Sequence, residues 1–178
     1  MKTLIISFLV FCCYFGINAQ VDTSFPSSWK GIWKGELKIY NAEGLAQSVP
    51  MELHILPTDS LHRYTWTIIY GADKVAGKRD YELVILDAAN GKYAIDEKNS
   101  IQIEGYFFED KFFSRFEVMG SMLLSSQRLL GNQLIFEIIA GKTEPESVTG
   151  NSIFEGDTIP PVKSFPIGVM QRAILERE

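Results

Sequence analysis

Ile101-Gln102-Ile103-Glu104-Gly105-Tyr106-Phe107-Phe108-Glu109-Asp110-Lys111-Phe112-Phe113-Ser114-Arg115-Phe116-Glu117-Val118 alternates apolar and polar residues on both sides of one acidic dipeptide. Period two is the mark of a half-buried strand, and a short polar break between two such runs marks a hairpin. Residues paired across a hairpin share a face of the sheet. Folding the segment at Glu109-Asp110 makes paired positions sum to 219. Ile101 then meets Val118, Ile103 meets Phe116 and Phe107 meets Phe112 on one apolar face, while Glu104 and Arg115 form an opposite-charge pair on the other.

The same test works elsewhere. A turn at Gly131-Asn132 pairs Leu129 with Leu134 and Gln127 with Phe136. A turn over Pro57 to Ser60 gives a sum of 117, which places Ile55, His62, Leu53, Tyr64, Met51 and Trp66 on an inner face and His54 and Arg63 outside. Extending the pattern predicts strands at 31–40, 47–56, 61–70, 80–87, 92–96, 100–108, 112–119, 122–130, 133–140 and 168–176, with a weaker one within 148–154. No window carries a long 3.6-residue apolar period, so an α/β sandwich with crossover helices is not expected, and short connections favour an antiparallel meander. About ten strands need their edges hidden, which barrel closure does. The expected fold is therefore all-β, a single antiparallel up-and-down β-barrel, with the first and last strands pairing to close it. A two-sheet sandwich satisfies the same alternation and stays open as the alternative.

Composition bounds the rest. The chain has 178 residues, enough for one domain with a sizeable core. Its 12% aromatic and 22% charged content excludes a disordered chain. A net charge of -5 offers no basic surface for nucleic acid or anionic lipid. Lys2 precedes an apolar run from Leu4 to Ile17 that ends near Ala19, the pattern of a secretory signal peptide. That run is short for a membrane span, and no later segment is long enough. The expected organisation is a signal peptide over 1–19, a lead-in over 20–28 and a barrel domain over 29–178, in a secreted or periplasmic protein. Phe11 before Cys12 lacks the small side chain of a lipoprotein signal, so lipid anchoring is not expected. Cleavage after Ala19 removes both cysteines, leaving no thiol for a disulfide, a metal site or a nucleophile.

Gly31-Ile32-Trp33 opens the first strand with Gly-x-Trp, and in this it resembles the calycin barrels: lipocalins, fatty-acid-binding proteins and nitrobindin-like haem barrels. The resemblance implies that Trp33 plugs the closed end and that an arginine near the last strand, Arg172 or Arg177, packs over it. It covers the architecture of most of the mature chain but only a few residues of motif. Departures limit what is carried over. There is no Thr-Asp-Tyr lipocalin turn and no lipocalin disulfide. The two histidines, His54 and His62, do not match the C-terminal haem ligand of nitrobindin-like barrels. The stretch from Tyr93 to Ile101 and the ending from Ile159 are also similar to uncharacterised secreted bacterial proteins, a likeness that brings no activity.

Catalytic motifs are sparse. Gly150-Asn151-Ser152-Ile153-Phe154 misses the last glycine of a nucleophile elbow, and Glu36, Glu52, Glu82, Glu104 and Glu137 alternate outwards as a solvated face. No cofactor is expected. The apolar positions say more. Trp33, Trp66, Tyr64, Phe107, Phe112, Phe116 and Phe136 converge on the predicted interior, together with Gly105, Ser114, Ser125 and Gln127. That mixture describes either a cavity with orienting hydrogen-bond groups or a filled barrel in which small and large side chains interdigitate. The expected ligand set is His62, Tyr64, Trp66 and Phe116 at the mouth and wall, with Ser114 and Gln127 as polar contacts and a small lipophilic molecule as partner. The alternatives are a filled barrel that binds an envelope protein through outward Ile32, Tyr40, Val84, Leu86, Tyr106 and Phe113, and, further off, haem binding or a lumen enzyme built on His62.

Overall fold

The computed structural model describes residues 24–178; the expected signal peptide and residues 20–23 lie outside them. A short 3-10 helix over Ser27–Trp29 leads into β1 (Gly31–Asn41), β2 (Gly44–Ile55), β3 (Arg63–Tyr70), β4 (Lys78–Asp87), β5 (Lys92–Asp96), β6 (Gln102–Phe108), β7 (Lys111–Val118), β8 (Ser121–Leu130) and β9 (Gln133–Lys142). Four short strands, β10 (Ser147–Thr149), β11 (Ser152–Phe154), β12 (Asp157–Ile159) and β13 (Val162–Ser164), precede β14 (Val169–Arg177). β1 to β9 run as a meander, and β14 pairs with both β9 and β1, so ten strands form a closed antiparallel barrel. Closure excludes the sandwich.

Two of the three predicted hairpin registers are the observed ones. Phe107 pairs with Phe112 and Gly105 with Ser114, while Leu129 pairs with Leu134 and Gln127 with Phe136. The β6–β7 ladder ends at Gly105–Ser114. The expected pairs Ile101–Val118, Ile103–Phe116 and Glu104–Arg115 are not part of this ladder, although β6 keeps its pairing with β5 and β7 its pairing with β8.

The β2–β3 register differs. Met51 pairs with Tyr70 and Leu53 with Ile68, a shift of four residues from the predicted pairing. The turn lies further along the chain than Pro57 to Ser60. Pro57 bridges Tyr64, Thr65 N–H donates to the Leu56 carbonyl, and the Thr58 hydroxyl donates to the carbonyls of Ser60 and Arg63. His62 ends this turn with φ of 67°, a conformation that histidine adopts more readily than branched residues. An even shift keeps each face, so Met51, Leu53, Tyr64 and Trp66 still point inwards, but Leu61 and His62 leave the strand and are exposed.

The segment 147–164 forms a nested two-part arm, β10 with β13 and β11 with β12, hydrogen-bonded to itself and not to the barrel ladder. It leaves the barrel from the end that carries the β1–β2, β3–β4, β5–β6 and β7–β8 turns.

Candidate functional site

The opposite end is sealed by aromatic packing that begins before β1. Phe25 stacks on Phe107 at 4.4 Å and meets Trp29 and Tyr93 edge-on at 4.7 and 4.8 Å. The Trp33 indole N–H donates to the Trp29 carbonyl at 2.9 Å, tying the plug to the floor of the barrel. Edge-to-face and offset-stacked contacts of this kind add about 0.5–1.5 kcal/mol each beyond burial. Over Trp33, which is fully buried, lies the guanidinium of Arg177, 4.4 Å from the ring centroid, which also donates to the Ser28 carbonyl. Of the two candidate arginines, Arg177 closes the barrel. Arg172 pairs with Lys38 and Glu137 on the outer face and stands 3.6 Å from the Glu137 carboxylate. Alternation forces this: Arg177 lies opposite Trp33, whereas Arg172 is an odd number of residues away and points out. The glycine of Gly-x-Trp has a physical reason here. Gly31 takes φ of 151°, and a Cβ there would lie 3.2 Å from the Arg177 stem.

This end is where two expected ligand contacts sit. The Tyr64 hydroxyl is 2.9 Å from the Ser27 hydroxyl and belongs to the plug. His62 is exposed on the turn at the same end, not at an inward position on the mouth, because the β2–β3 turn absorbs it. Trp66 is buried in mid-barrel against Phe112, 5.9 Å between ring centroids. His62, Tyr64 and Trp66 are therefore surface, plug and core residues in that order. The lead-in aromatic Phe25 also belongs to the plug, and its only signal in the sequence is an apolar side chain four residues before Trp29, ahead of the first strand.

Above the plug the interior changes character. Gly105, Ser114, Ser125 and Gln127 face inwards on adjoining strands, with Gly105 opposite Ser114 and Ser114 opposite Ser125. A Cβ at Gly105 would lie 2.5 Å from both the Phe112 ring and the Ser114 hydroxyl, so the glycine makes room for its neighbours. Ser114 and Gln127 are each 3% exposed, and the Ser114 Oγ and Gln127 Oε1 have no hydrogen-bond partner in the protein. One inward step further from the plug stand Phe116, opposite Leu123, and then Leu123 opposite Ala140. Ile39, Tyr70, Tyr81, Ile103 and Ile138 share this upper interior and are only partly buried, packed on the core from above. Burial pushes the Tyr70 hydroxyl up to about 12, with Tyr81 beside it adding to the effect. Where the arm leaves the rim, Ala140, Lys142, Pro145, Pro166 and Val169 line a cleft of about 540 Å³.

The outer face of β3 to β5 carries a charge cluster. Arg63 donates to Glu82 at 2.8 Å and to Asp96 at 3.3 Å, Lys98 lies 3.2 Å from Glu82, and the Thr67 hydroxyl donates to Asp80. The Arg63 hydrogen bond holds Glu82 below the usual carboxylate range, the Lys98 backbone N–H does so for Asp96, and the Thr67 hydroxyl for Asp80. On β2, Glu52 is lowered by Lys74, and His54 reaches the same carboxylate at 2.9 Å on the outer face, as expected of it. These carboxylates are stabilised as anions, the opposite of what a general acid needs. Among the described residues, no group of three or more His, Cys, Asp or Glu could hold a metal ion, and no helix is long and apolar enough to cross a membrane. Neither the known protein-family models nor the curated proteins include a match to this chain.

Proposed function

We propose that the protein is a secreted or periplasmic calycin-type carrier that holds a small apolar or amphipathic molecule in the upper half of its barrel. One observation carries this reading: the barrel is sealed by Phe25, Trp29 and Trp33 at one end, while at the other its inward apolar side chains remain partly exposed. A ligand that covers the partly buried Ile39, Ile103, Phe116 and Ile138 gains about 25 cal/mol for each Å² of apolar surface it buries there. Of the residues read from sequence, Phe116 belongs to this cup and Ser114 and Gln127 to its floor. The Gly31–Trp33 motif with Arg177 above it supports kinship with lipocalin-type barrels. Displacement of a lumen-seeking dye such as ANS, with native mass spectrometry of the mature chain, tests the reading. Binding that is weakened by Phe116→Asp and unaffected by His62→Ala is expected; a protein that takes up no apolar probe overturns it.

A second reading rests on a different surface. Tyr106 and Phe108 stack at 6.1 Å on the outer face, 42% and 61% exposed, with Phe113 beside them. Such a strip suits an envelope protein partner. Pull-down from periplasmic extract that is lost with Tyr106→Ser plus Phe108→Ser, and kept with Phe116→Asp, favours it over the carrier.

A further inference from the structure

Ser114 Oγ and Gln127 Oε1 are buried polar atoms without protein partners, and both belong to inward positions at the floor of the cup. Leaving a buried polar atom unpaired costs roughly 1–3 kcal/mol. Two in one place, on neighbouring strands, point to something that pairs with them. Ser114 lies opposite Ser125, and Gln127 is the next inward residue along β8 from Ser125, so the two orphan atoms come from diagonal neighbours. An amide oxygen only accepts, while a serine hydroxyl also donates. The group that completes both is one that donates once and accepts once, which is a hydroxyl.

Charge narrows the class further. Among the described residues, inward positions below the rim carry no Lys, Arg, Asp or Glu; the cations Arg79 and Lys142 stand at the rim itself. A carboxylate drawn to the floor would be desolvated there without a counter-ion, at a prohibitive cost. From this geometry we infer that the lumen takes an uncharged long-chain alcohol head first: its hydroxyl donates to Gln127 Oε1 and accepts from Ser114, and its hydrocarbon lies against Phe116, Leu123 and Ile103. The inference rests on the carrier reading and adds the ligand's chemical class and its orientation.

The experiment compares 1-dodecanol, dodecane and dodecanoate at pH 8 as competitors for ANS bound to the mature protein. Dodecanol is expected to bind about ten-fold tighter than dodecanoate, and Gln127→Leu or Ser114→Ala to remove about ten-fold of dodecanol affinity, the worth of one hydrogen bond. Far-UV circular dichroism and Tm close to wild type show that both variants fold, and the loss is read as a fall in the ratio of dodecanol to dodecane affinity. If ANS itself does not bind, the carrier reading fails. If ANS binds but dodecanoate competes as well as dodecanol, the head group sits at the rim beside Arg79 or Lys142 and the hydroxyl site is wrong. Dodecanol affinity that survives Gln127→Leu, or a dodecanol-soaked crystal with only ordered water on Gln127, also overturns it.

Discussion

The guanidinium of Arg177 lies 4.4 Å above the indole of Trp33, so the last strand of the barrel is latched onto the first. The same arginine donates to the Ser28 carbonyl, and Trp33 in turn holds Trp29, so plug, first strand and last strand form one unit at the closed end. A cation over an exposed aromatic face is worth about 0.5–1 kcal/mol, and a fully buried tryptophan about 3–5 kcal/mol on truncation. Arg177→Ala should therefore lower Tm by a few degrees, and Trp33→Ala should leave little folded protein. The informative measurement is a double-mutant cycle using Trp33→Phe and Arg177→Gln. A coupling near zero would mean that the two residues are neighbours without being a latch.

How far sequence reaches into this fold depends on which contacts are local. The Glu109-Asp110 and Gly131-Asn132 hairpins are legible because two-residue turns leave only one register that buries both apolar sets. The β2–β3 hairpin misleads because Leu61 and His62 continue the alternation into a turn that the backbone resolves with His62 at positive φ. That single displacement moves His62 from the expected mouth to the exposed surface of the closed end. Which barrel end carries the aromatic plug is a long-range fact, fixed by Phe25 packing on Phe107 and Arg177 reaching Trp33, and period-two patterning carries no trace of it. The inward Ser114 and Gln127 were legible as polar positions on an apolar face; that their Oγ and Oε1 are left unpaired is visible only in three dimensions.

Acid should destabilise the outer face of β2 to β5. Glu52, Asp80, Glu82 and Asp96 all have folded-state pKa values below their ordinary ones, through Lys74, the Thr67 hydroxyl, Arg63 and the Lys98 backbone N–H in turn. A lowered folded-state pKa contributes stability that is fully present above the unfolded value and is lost as pH falls through the folded one. Tm is thus expected to be flat from neutral pH down to about 5 and to fall below about pH 4.5, near the ordinary carboxylate range. Arg63→Met should shallow that fall, since it removes the partner shared by Glu82 and Asp96. A Tm profile in Arg63→Met that is parallel to wild type from pH 5 to 3 would refute the assignment.

Alkali acts on the upper interior instead. Tyr70 is held to about 12 by burial, well above the ordinary 10.0 of its phenol. Because its folded-state pKa is raised, its contribution is fully present below pH 10 and is lost as pH climbs from there towards 12. Burial also raises Tyr81 and Tyr93, so tyrosinate absorbance at 295 nm should show a late component that loses its last-titrating part in Tyr70→Phe, and the same variant should lose less stability between pH 10 and 12. A ligand seated against Tyr70 and Tyr81 would delay the component further, so the titration also reports occupancy of the cup.

The arm should be dispensable for the barrel. β10 to β13 bond to one another and not to the ten-strand ladder, and Glu146 N–H meets the Ser164 carbonyl at 2.8 Å where the arm begins and ends. Those ends are close enough for a two-residue turn, so replacing 147–164 by Asn-Gly closes the β9–β14 connection with a favoured hairpin loop. Ile153 and Phe154, 77% and 63% exposed, bury little apolar area that the deletion would forfeit. The excised protein is expected to keep its β-rich circular dichroism and a Tm within a few degrees of the full chain. The arm springs from the rim beside the cleft that includes Pro145 and Pro166, so its loss should change the rates of ligand uptake and release more than the affinity. Stopped-flow mixing with ANS separates the two. Rates unchanged alongside an unchanged Tm would show that the arm does not gate the mouth, whereas a collapse of Tm would show that it holds the barrel shut.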